Sequence, residues 1–95
     1  MKLWLDDLRD APPGYEHAYS VDEAKQMIQA WEEAGEEIEL LDLDYDMGVY
    51  EEYGGTGVDF LEWLLYRETF YPVQVHSSNI FACENMEGLI EAYWE

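Results

Sequence analysis

Three short stretches of this chain end in residues that can do chemistry. "LWLDD" closes on Asp6 and Asp7, "LLDLDYDMG" carries Asp42, Asp44 and Asp46, and "VQVHSSN" places His76, Ser77, Ser78 and Asn79 in one polar run. Each begins as an apolar run of strand type and finishes in carboxylates, an imidazole or hydroxyls. Two like charges about 4 Å apart repel by roughly 4 kcal/mol at an effective dielectric near 20. Grouped acids therefore need a cation, a shared proton or open water. A hard divalent ion, Mg²⁺ first, suits Asp6, Asp7, Asp44 and Asp46, because it takes oxygen ligands and keeps waters that a phosphate can replace. His76 can transfer a proton near neutral pH, ligate a metal or donate a hydrogen bond to a phosphate. Arg9 can grip a phosphate through two parallel contacts, or pair with the aspartates and shape their loop. The plain alternative is that the acids cap strands in solvent and His76 is a satisfied strand-end histidine.

These residues meet only if the intervening elements bring the strand ends together. "KLWLDD" reads as a first strand, "HAYS" as a short second one, "IELLDLD" as a third and "YPVQVHSS" as a fourth. Between the first two, "LRDAPPGYE" is a loop, because Pro12, Pro13 and Gly14 break a helix. Ser20 and Glu23 form a capping-box pair ahead of Val21, Ala24, Met27, Ile28 and Trp31 at helical spacing, and Gly35 is placed to end that helix. "GVYEEYGGTG" reads as a mobile loop. Thr56, with Asp59 three residues on, caps a second helix carrying Val58, Phe60, Leu61, Leu64 and Leu65. A last helix begins near Asn79 or Ile80 and runs to about Trp94. Ser78 or Asn79 would cap it, which suits an anion at its N-terminus.

Alternating strands and helices predict an α/β fold with a mostly parallel sheet, and ligands in such sheets sit at the carboxyl ends of the strands. Parallel strands would carry all three polar tips to one edge. The continuous leucine character of the third strand fits burial on both faces. His17 reads as structural or surface, and Gly54, Gly55 and Gly57 lack the lysine and spacing of a phosphate-cradling loop.

Composition narrows the function classes. Four Lys and Arg stand against 23 Asp and Glu, a formal net charge of −19. That balance opposes unaided binding to bulk DNA or to an anionic membrane, and favours cations, basic proteins or a nucleotide met locally. Hydrophobic residues make up 48% and aromatic residues 16% of the chain, enough for a small core in a single domain over residues 1–95. Cys83 is the lone cysteine, so no internal disulfide forms; the expectation is a reducing cytoplasm. The charged start "MKLWLDDLRD" does not resemble a secretory signal, and no apolar run is long enough to span a membrane.

The motifs resemble the receiver domain of two-component signalling. There an acidic pair ends the first strand and a phospho-accepting aspartate ends the third. Asp44 takes the acceptor's place, Met47-Gly48 stands where receivers often have Met-Pro, and Ser77 takes the place of the Ser/Thr that ends the fourth strand. Receivers also use a lysine at the end of a fifth strand, whereas this chain has no lysine beyond Lys25. Its first helix is replaced by "LRDAPPGYE". A closer resemblance is to the cyclic-phosphate-processing receiver-like domains, carried by "LDDLR", "LDYDMG", "GVD" and "HSSN". Tyr45-Asp46 stands where that family has a histidine-aspartate pair. The resemblance implies a shortened, three-layer flavodoxin-like fold of about four strands and three helices. It also implies a phosphoesterase or binding domain for cyclic phosphates of nucleotides or RNA ends, with His76 and Asp44 catalytic. Arg9, Ser77, Ser78 and Asn79 would hold phosphate, and a divalent cation would lie on Asp6, Asp7, Asp44 and Asp46. A non-catalytic protein-binding adaptor, an acidic nucleic-acid mimic and a homodimer through an exposed strand edge stay open beside it.

Overall fold

The structure, a computed structural model, describes residues 1–76 and 80–94. Four strands, β1 (Lys2–Leu5), β2 (Glu16–Ala18), β3 (Leu40–Leu43) and β4 (Val73–Val75), form one sheet in the order β2-β1-β3-β4. Every neighbouring pair is parallel. Three helices, α1 (Val21–Glu33), α2 (Gly57–Tyr66) and α3 (Ile80–Tyr93), complete a shortened receiver-like α/β fold.

Strand alternation divides the sheet chemically. Leu3, Leu5, Leu41 and Leu43 are fully buried and share a core with Val21, Ala24 and Ile28 of α1, Phe60, Leu61 and Leu64 of α2, and Met86 of α3. The helices touch in series, α1 against α2 and α2 against α3, so they lie side by side on this leucine face. The opposite face carries Trp4, Asp42 and Gln74, which register directly across β1, β3 and β4. No helix forms between β1 and β2. The layer expected over the Trp4 face is loop instead, with Tyr15 edge-on to Trp4 at 6.0 Å between ring centres.

Local signals account for the element ends. The Glu23 backbone N–H donates to Ser20 Oγ at 3.1 Å, while the Glu23 carboxylate accepts from the Tyr19 N–H, one residue earlier than a standard capping box. The Asp59 carboxylate accepts the Thr56 N–H at 2.8 Å at the start of α2. The segment expected as a mobile loop holds a short 3₁₀ turn, Gly48–Glu52. Gly54 and Gly55 have φ of 106° and 95°, a region that side-chained residues rarely adopt. Gly57 serves close approach. Its N–H donates to the Tyr45 carbonyl at 3.0 Å, and a Cβ there would press on the Asp44 carbonyl oxygen and on Met86.

The Gly57 contact generates a stability prediction. Gly57→Ala should destabilise the fold by about 1–3 kcal/mol, because backbone and not a flexible side-chain tip must yield. Equilibrium urea unfolding measures this, and an unchanged midpoint would remove the close-packing explanation.

Candidate functional site at the strand ends

The parallel ladder continues one residue past the strands. The N–H groups of Asp6, Asp44 and His76 donate to the carbonyls of Ala18, Leu5 and Leu43 at 3.1, 2.9 and 2.9 Å. Trp4, Asp42 and Gln74 occupy one row of the sheet. Two residues further along each strand, Asp6, Asp44 and His76 form the next row on the same face. Period-two alternation thus turns three separate motifs into one cluster. One ligand atom from each of Asp6, Asp44 and His76 lies within 4.8 Å of the others, and both aspartates are buried.

His76 is held from both sides. Its Nδ1 is 2.5 Å from Asp42 Oδ1, and its Nε2 is 3.0 Å from Asp6 Oδ2. The imidazole lies flat on Trp4, with ring centres 3.7 Å apart and planes at 7°. The Trp4 indole N–H in turn donates to the Arg9 carbonyl at 3.1 Å. Gln74 Nε2 donates to the other oxygen of Asp42 at 2.8 Å. Burial disfavours the charged imidazole, but the hydrogen bonds and charges of Asp42 and Asp6 outweigh it, so the His76 pKa lies above its usual value. Burial likewise opposes ionised Asp6. The N–H groups of Arg9 and Leu8 and the His76 ring overcome that, leaving Asp6 below the usual carboxylate range.

The remaining sequence-derived residues lie around this centre. Asp6 Oδ1 accepts the N–H groups of Leu8 and Arg9 at 2.8 and 2.9 Å, which folds the loop after β1. Arg9 itself is exposed. Asp46 is exposed, and its carboxylate accepts the Gly48 N–H at 2.9 Å, so it has left the strand. Asp7 is half-buried. Burial together with the charges of Asp6 and Asp46 pushes its pKa up, against its own backbone hydrogen bond and Arg9. Asp7 and Asp46 are outside the group formed by Asp6, Asp44 and His76. Ser77, Ser78 and Asn79 lie outside the described residues. His17, read as structural, approaches the Asp6 carbonyl with Nε2 at 2.8 Å and stacks on Tyr19.

Trp4, Asp42 and Gln74 received no site role from the sequence. The signal for them was register. Asp42 precedes Asp44 by two, and Gln74 precedes His76 by two, so they share the row beneath, where Asp42 bonds His76 and Gln74 bonds Asp42. As a donor set, the carboxylates of Asp6 and Asp44 suit a hard divalent cation. With both nitrogens facing carboxylates, His76 fits better as a proton-carrying neighbour than as a metal ligand.

The model of one protein family, the cyclic-phosphate processing receiver domain, matches residues 1–92. The chain belongs to that family. Comparison with curated proteins and with solved structures finds no match. The family membership agrees with the parallel four-stranded sheet and the strand-end acids. Among the described residues, no helix of this family member is long and apolar enough to cross a membrane.

The clamp has a definite pH signature. Asp6 contributes stability above its ordinary value of 3.8, and loses it as pH falls through its lowered folded value. His76 contributes below its ordinary value of 6.5, and loses it as pH rises through its raised folded value. The difference in unfolding free energy between wild type and His76→Gln should therefore be greatest between pH 3.8 and 6.5, and shrink on either side. Urea titrations across that range measure it. A difference that grows above neutral pH would contradict the imidazolium clamp.

Proposed function

We propose that this chain is a small phosphoesterase-like domain acting on cyclic phosphates of nucleotides or RNA ends. The observation that carries this is the His76 ring, pinned between Asp42 and Asp6 beside Asp44 where three strands end. An imidazole whose pKa two carboxylates raise favours the form that can supply a proton to a leaving oxygen. The family match supports the substrate class.

In this reaction a water attacks the cyclic phosphorus while the Asp44 carboxylate accepts its proton. The ring P–O bond breaks, and the departing oxygen takes the Nε2 proton of His76, leaving an open phosphomonoester. Asp42 holds the ring through Nδ1, and Trp4 fixes its plane. Asp6, at Nε2, steadies the imidazolium until the proton leaves. Arg9, together with Ser77, Ser78 and Asn79, would hold the phosphate oxygens. Asp6 and Asp44, with Asp7 and Asp46 beside them, would hold a divalent cation, Mg²⁺ being the natural choice. When bound, that ion offsets negative charge and makes water more acidic. A chain of net charge −19 has a particular need of such an ion before it can admit an anionic substrate.

Two measurements test this. With nucleoside 2′,3′-cyclic phosphates, His76→Ala and Asp44→Asn should each lower kcat/KM by about 100-fold or more. Full activity in both variants would end the proposal. In thermal melts without substrate, Mg²⁺ should raise the wild-type midpoint, and Asp44→Asn should abolish the rise. An equal rise in the variant would move the cation away from the strand ends. Stabilisation by Mg²⁺ with no turnover of any cyclic phosphate would assign a binding role, as in a receiver-like adaptor.

A further inference from the structure

A second surface lies at the outer edge of β4, distinct from the strand-end cluster. The order β2-β1-β3-β4 leaves β4 at the border of the sheet. Leu41 N–H donates to the Pro72 carbonyl, and His76 N–H donates to the Leu43 carbonyl. Residues 72, 74 and 76 therefore turn their backbone groups toward β3, and by alternation Val73 and Val75 turn theirs outward. Among the described residues no backbone group pairs with them. Beside this edge runs a groove of about 360 Å³ between β4 and α3. Val73, Val75 and Ile90 give it an apolar floor, and the exposed carboxylates of Glu87 and Glu91 line it as well.

We propose that this edge takes an extended basic segment of a partner protein as an added strand. Outward backbone groups at Val73 and Val75 would pair with the incoming main chain. Alternate side chains of that segment would enter the groove, an apolar one on Val73, Val75 and Ile90 and Lys or Arg on Glu87 and Glu91. Charge selects this occupant. A second copy of the chain would bring another −19 and place acid against acid, whereas a basic strand relieves the repulsion between Glu87 and Glu91, one helical turn apart. Carboxylates beside an open edge also discourage indiscriminate strand pairing, which restricts the edge to segments of opposite charge.

The test is fluorescence anisotropy with a labelled peptide, Thr-Lys-Thr-Val-Thr-Lys-Thr, whose alternate Lys, Val and Lys face the groove together. Titrations use the whole chain at about 0.15 M salt, where exposed long-range attraction is largely screened. Wild type should bind it, and Glu87→Lys with Glu91→Lys should weaken binding by at least about tenfold. Val75→Pro removes one outward N–H while leaving the β3 ladder intact, and should weaken binding to a similar degree. The paired glutamate variant is on the surface, so it remains informative if Val75→Pro fails to fold. A matched peptide with Glu in place of Lys should not bind, and one with Gly in place of Val should bind at least about tenfold more weakly. No binding by wild type overturns the proposal. So does equal binding to the Gly peptide, or to both protein variants, since either reveals undirected charge attraction. Sedimentation that shows a wild-type dimer, lost in Val75→Pro, would give the edge to a second copy and overturn it too.

Discussion

Asp6 and Asp42 are buried carboxylates on adjacent parallel strands, and both meet the ring of His76 on a third. Burying even one unpaired carboxylate is strongly unfavourable, and two side by side are worse. The imidazole answers both at once and ties β1, β3 and β4 at their carboxyl ends. Gln74 satisfies the second oxygen of Asp42, and the backbone of Leu8 and Arg9 satisfies that of Asp6. Little of this network can be removed singly without leaving a buried charge short of a partner.

The clamp also organises what surrounds it. Folding the 6–9 loop onto Asp6 brings the Arg9 carbonyl to the Trp4 indole, and Trp4 then presents its flat face to His76. A helix packed over this side would cover the ring. The Pro-Pro-Gly loop that replaces it sets Tyr15 against Trp4, and the His76 side chain keeps 14% of its surface exposed. Loss of a helix between β1 and β2 and the partial exposure of His76 are thus two aspects of one arrangement.

The acids divide by depth. Asp6, Asp42 and Asp44 are buried on the sheet, whereas Asp46 lies in solvent and Asp7 is intermediate. Asp6 and Asp42 have fixed partners, as buried carboxylates require. Burial, with Asp6 and Asp46 as like charges beside it, raises the pKa of Asp7. Gly48 follows this outer pair. With φ of 54°, it turns the chain where any Cβ would run into the Asp7 carboxylate. The sharp exit from β3 and the approach of Asp7 to Asp46 are therefore coupled.

Much of this was legible in one dimension. Apolar runs ending in acids, the Ser20 and Thr56 caps and the four ordered motifs point to a parallel α/β sheet of receiver type, because period, capping and strand-end polarity are local properties. Local pattern also marked His76 and the aspartates as residues of interest. It could not say which carboxylates are neighbours. That follows from register, Trp4 opposite Asp42 opposite Gln74, and register is set by how the leucine face packs on the helices. Tertiary structure alone made Asp42 the partner of His76 and laid Trp4 under the ring. It also gave Gly57 a packing role, beyond the loop mobility and the "GVD" motif in which the sequence placed it. The sequence by itself determined which chemistry the chain carries. Parallel pairing in three dimensions decided which of those groups touch, since contacts between residues as distant as Asp6 and His76 exist only once the sheet has formed.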